Sequence, residues 1–73
     1  MSEYGVALFY TTSSAMGAEK LLARAGLTVK LIPTPRQFSS DCGISLRFLW
    51  DKCRQIESLF EREQIEYETI RQL

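Results

Sequence analysis

The chain has 73 residues, 45% of them apolar, 25% charged, and a formal net charge of zero. That composition describes one small globular domain and is too apolar for a disordered chain. Neutral charge argues against nucleic acid as the partner. The lack of any histidine beside only two cysteines argues against a zinc site within one chain and against a Ser-His hydrolase.

Tyr4 to Thr11 is apolar, aromatic and β-branched, which predicts a central strand buried on both faces. Thr12, Ser13 and Ser14 follow, and any of them can cap a helix by accepting from an orphan amide. Ala15, Ala18, Leu21, Leu22 and Ala25 recur at helical spacing, with Glu19, Lys20 and Arg24 on the other side. Gly26 is placed to end that helix in the left-handed region. Gly17, inside it, lowers helix propensity by about 1 kcal/mol and predicts close packing on a sheet. Leu27 to Ile32 alternates around Thr28 and Lys30 as a second strand, which Pro33 stops.

Ile44, Leu46 and Phe48 alternate with Ser45 and Arg47 as a third strand. Asp51 is a candidate cap for the next helix, whose apolar stripe reads Leu49, Cys53, Ile56 and Phe60. Ile65 to Leu73 predicts a last strand. The order β-α-β-β-α-β predicts an α+β, two-layer ferredoxin-like sandwich: a four-stranded antiparallel sheet with two helices on one face. Right-handed crossovers put the first and third strands in its centre.

The segment from Pro33 to Gly43 departs from this scaffold. A tight hairpin needs two to five residues; this connection has about ten, and a loop that long in a small domain is usually functional. Pro33 and Pro35 fix the backbone and remove two donors. Arg36 brings a permanent positive charge. With the amides near Ser39 and Ser40, it offers a small anion-binding surface beside Cys42. A thiol in polar, cationic surroundings reacts more readily than one in a core, although Asp41 opposes this. Gly43 permits close backbone approach. The competing reading makes Cys42 a small buried residue at a strand start. Cys53 lies on an apolar stripe and reads as core.

Ser13 and Ser14 at the first strand–helix junction offer a generic anion site, but helix capping alone explains them. There is no GxGxxG or GxxxxGK[ST] loop. The eight aromatic residues raise the question of an RNA-binding sheet, but the third strand, Cys-Gly-Ile-Ser-Leu-Arg-Phe, lacks the pattern such sheets carry.

Charge is unevenly spread. Lys20, Arg24, Lys30, Arg36, Arg47, Lys52 and Arg54 crowd the middle against Asp41 and Asp51, and Glu57, Glu61, Glu63, Glu66 and Glu68 follow. Such asymmetry is surface decoration, or it biases head-to-tail docking or attracts an anionic partner. Apolar residues on both parities of the strands predict a homodimer or face-to-face sheet packing. The rival reading is that Lys30, Arg47, Thr69 and Arg71 cover the second face of a monomer. With no spanning apolar run and no basic leader, a reducing cytoplasm is the expected location.

The first strand ending Phe-Tyr-Thr-Thr, the run Ala18-Glu19-Lys20-Leu21-Leu22, and Leu31-Ile32-Pro33-Thr34-Pro35-Arg36 with Ser39, Cys42 and Gly43 resemble the selenium/sulfur carrier protein-like family. These are short bacterial proteins of unknown function, a domain also found attached to YedF-type selenium-metabolism proteins. The resemblance covers nearly the whole chain. It implies a role near sulfur or selenium handling, with Cys42 as the carrying thiol, Pro33, Thr34, Pro35, Arg36, Ser39 and Gly43 around it, and donor and acceptor proteins as partners. It implies no cofactor, and a carrier rather than a stand-alone catalyst. TusA-type carriers hold their cysteine in a Cys-Pro-x-Pro motif at a helix start; this chain has none, so their partner surface does not transfer. The alternative is a non-catalytic small-ligand-binding or protein-interaction module with a structural cysteine.

Overall fold

A computed structural model describes residues 3–38 and 42–73. Four strands and two helices follow in the order β1 (Tyr4–Leu8), α1 (Thr12–Arg24), β2 (Val29–Pro33), β3 (Ile44–Leu49), α2 (Cys53–Arg62) and β4 (Thr69–Gln72). The sheet order is β2-β3-β1-β4 with every neighbouring pair antiparallel. This is the ferredoxin-like arrangement, with β1 and β3 central as the right-handed crossovers require.

Register divides the sheet into two faces. Ala7 lies opposite Leu46, which lies opposite Leu31, and Gly5 opposite Phe48 opposite Val29. These positions meet the helices. Ala15, Ala18 and Leu22 of α1 and Ile56, Leu59 and Phe60 of α2 complete the core. Gly5 has a packing reason to be glycine: a Cβ there would collide with the Trp50 ring, which stacks with Phe48 at 6.1 Å between centroids.

Several ends differ from the sequence reading. β1 stops at Leu8, because Thr11 turns out of the sheet in an extended conformation to cap α1. The cap is therefore Thr11 and not Thr12, Ser13 or Ser14: the Ser14 N–H donates to Thr11 Oγ1 at 3.1 Å. The α1 C-terminus is as expected. Gly26 has φ +84°, its N–H donates to the Ala23 carbonyl and the Leu27 N–H to the Leu22 carbonyl, a Schellman closure. β2 runs through Pro33 instead of stopping before it. The Thr34 N–H points inward to the Gly43 carbonyl, so by alternation the donor that Pro33 lacks lies on the outer edge. Asp51 does not cap α2; it sits in a single 3-10 turn, Trp50–Lys52, that leads into that helix. Leu49 belongs to the end of β3 and is exposed, not part of the helical stripe.

Gly17 is exposed, and a Cβ there would meet nothing within 4 Å. The close packing expected of it is absent. Gly17→Ala should therefore stabilise the protein by about 0.5–1 kcal/mol through helix propensity alone. A higher urea midpoint at unchanged slope is the expected result.

The second face of the sheet is not left bare. Val6, Leu8 and Ser45 point away from the helices, yet they are 0%, 2% and 0% exposed. The connection after β2 reaches this face: Phe38 lies under the Arg71 guanidinium of the opposite edge strand, 5.7 Å from ring centroid to charge. The described start of this connection, residues 34–38, thus straps part of the face that a two-layer sandwich exposes.

Candidate functional site

The strap returns to β3 through Cys42 and Gly43. Cys42 reaches the junction of β1 and α1, with its sulfur 3.8 Å from Thr12 Oγ1. The residue is 4% exposed. Its backbone is fixed from the other end of the strap: Thr34 Oγ1 donates to the Cys42 carbonyl at 2.9 Å and lies 2.8 Å from Ser45 Oγ. The Thr34 hydroxyl has one proton, and the carbonyl takes it. Ser45 is therefore the donor to Thr34, and the buried hydroxyl of Ser45 is satisfied in this way.

The residues singled out in the sequence separate into groups. Thr34 and Cys42 are joined directly. Pro35 opens a tight turn in which the Phe38 N–H donates to the Pro35 carbonyl at 3.0 Å. Arg36 sits in that turn and is exposed. Gly43 is exposed, and a Cβ on it would meet nothing within 4 Å, so the folded chain itself does not require glycine there. Ser13 is exposed on the first turn of α1, and Ser14 accepts from Thr11 Oγ1 at 3.0 Å. Ser39, with its neighbours Ser40 and Asp41, lies outside the described residues.

Thr12 stands 30 residues from Cys42 in the chain, and only the folded arrangement brings its hydroxyl to the thiol, while Ser45 joins the group through Thr34.

Cys53 is half-buried at the rim of the core, not within it. Its Sγ donates to Glu57 Oε1 at 3.4 Å. Partial burial pushes the thiol above its ordinary value near 9.0, and the Glu57 carboxylate raises it further by accepting its proton and by charge, against a smaller opposing pull from Arg54. Cys53 should alkylate slowly at neutral pH, with a midpoint above 9.0. Glu57→Gln removes the carboxylate that disfavours the thiolate, so the midpoint should fall. Rates of iodoacetamide labelling across pH, read by peptide mass, check both.

Among the described residues there is no group of three or more histidine, cysteine, aspartate or glutamate side chains that could hold a metal, and no helix long and apolar enough to cross a membrane.

Residues 4–72 match a protein-family model described as "Putative Se/S carrier protein-like". No curated protein and no solved structure matches the chain. Since the match spans nearly the whole sequence, from β1 to the end of β4, the chain belongs to the Se/S carrier protein-like family.

Proposed function

We propose that the protein is a small sulfur or selenium carrier and that Cys42 is its carrying thiol. The observation that supports this most is the family match across residues 4–72. Burial and Glu57 both disfavour the Cys53 thiolate, which counts against Cys53 as the carrying thiol. Cys42 stands at the end of a braced strap, followed by an exposed glycine that leaves room for a partner's thiol.

The chemistry is a single displacement. The Cys42 thiolate attacks the outer sulfur of a donor persulfide. A new S–S bond forms on Cys42, the donor's S–S bond breaks, and the donor leaves as a thiolate with the electron pair. No external oxidant is consumed. Delivery repeats the step with an acceptor thiolate attacking the outer sulfur on Cys42. Donor and acceptor proteins are the partners this chemistry calls for.

One observation favours a second reading, a non-catalytic binding or interaction module with a structural cysteine: the thiol is only 4% exposed. Mass spectrometry after incubation with a persulfide donor separates the two. The carrier reading expects one added sulfur on the Cys42 peptide. A native protein whose Cys42 neither accepts sulfur nor alkylates supports the module.

A further inference from the structure

One cross-strand row of the strapped face concentrates positive charge. Lys30 of β2 lies directly opposite Arg47 of β3, Arg47 opposite Val6 of β1, and Val6 opposite Arg71 of β4. Three of the four positions are cations on the same face, spanning roughly 14 Å at three strand spacings. Like charges directly opposite one another in a sheet are destabilising, so Lys30 against Arg47 works against the fold unless an anion sits between them. Alternation puts no aspartate or glutamate of any strand on this face. The ion pair seen among the described residues, Arg62 with Glu63, lies elsewhere. Both guanidinium groups are held in place on rings, Arg47 over Tyr4 at 4.7 Å and Arg71 over Phe38 at 5.7 Å.

We infer that this row is a docking surface for an acidic polypeptide segment of a partner protein. Charge complementarity selects an anionic partner, and planar guanidinium groups match carboxylates in paired hydrogen bonds. The same two contacts weigh against single-stranded nucleic acid. Tyr4 and Phe38 each carry an arginine on the ring, where a stacking base would have to lie. The chain as a whole has an isoelectric point near 6.2, far from the basic balance of nucleic-acid-binding domains. Face-to-face pairing of two copies through this row would set cations against cations. Only the identification of the partner as a sulfur donor or acceptor rests on the carrier reading.

The test titrates the full chain at 50 mM NaCl with a fluorescent poly-glutamate peptide and, separately, with a poly-uridine oligonucleotide of equal charge. The peptide is expected to bind and the oligonucleotide to bind more weakly. Arg47→Gln/Arg71→Gln should weaken peptide binding about tenfold, and Arg47→Lys/Arg71→Lys should restore part of it. Because the glutamine pair could disturb the fold, the native chain is also titrated at 300 mM NaCl, where binding should again fall about tenfold. Cys42→Ser should bind the peptide like the native chain, so a failure of sulfur loading is read separately. No peptide binding at 50 mM NaCl, tighter binding of the oligonucleotide, insensitivity to salt, or loss of binding in Cys42→Ser would each overturn the inference.

Discussion

Cys42→Ser should abolish sulfur loading while Cys53→Ser leaves it intact. Incubated with a persulfide donor, the first variant should show no mass increase of one sulfur, and the second should load to the native level. The contrast follows from the two environments. The Cys53 S–H donates a hydrogen bond to Glu57, and burial with that carboxylate favours the thiol form. The Cys42 sulfur lies 3.8 Å from the neutral Thr12 hydroxyl. Serine at position 42 keeps the volume nearly constant and puts a hydroxyl within reach of Thr12, so the cost to the fold should stay near 1 kcal/mol. Circular dichroism on the variant checks that the lost loading is chemical. Persistent loading of Cys42→Ser through Cys53 would refute the assignment.

Phe60→Ala should be the most destabilising of the simple truncations. Phe60 is fully buried, meets Phe9 edge-on at 6.1 Å between ring centroids and Tyr67 at 5.0 Å, and holds α2 against the sheet. Its carbonyl also accepts from the Ile65 N–H at the end of α2. Removing such a ring typically costs about 3–5 kcal/mol. A domain of this length has roughly 4–11 kcal/mol in total, so the variant should lose from about a quarter of the native stability to all of it, with the urea midpoint lowered to match. Leu49→Ala, at an exposed position, should change stability by less than about 0.5 kcal/mol and serves as the control. Comparable losses for both would mean that Phe60 is not the anchor of α2.

The architecture was legible because its periodicities are clean. Alternation in Ile44–Phe48 and the helical recurrence of Ala15, Ala18 and Leu22 are read correctly without a partner in view. Boundaries were harder, since Tyr10 and Thr11 have strand-like side chains but serve a turn and a helix cap. Gly17 misled because propensity alone cannot tell a packed glycine from an exposed one. Cys53 was placed in the core because an apolar stripe has an edge, and a residue at that edge can find a carboxylate one turn away. The length of the segment after Pro33 marked it as unusual, but not where it goes. Nothing local predicts that Phe38 reaches Arg71 across the sheet, because that contact depends on strand order. The same holds for the cationic row, whose members lie far apart in the chain and become neighbours only through register.

The two outer strands carry a further consequence. An open sheet edge is a template on which another chain can add, and growth by such addition leads to aggregates. β2 presents Lys30 and ends in Pro33, whose missing donor falls on the outward side. β4 is only four residues long and carries Arg71. Neither edge offers a full, uncharged ladder to an incoming strand. Both edges therefore discourage strand addition, which counts for more at zero net charge, where electrostatic repulsion between copies does little to keep them apart; Pro33→Val removes one of these blocks at an exposed position and should speed thioflavin-positive aggregation.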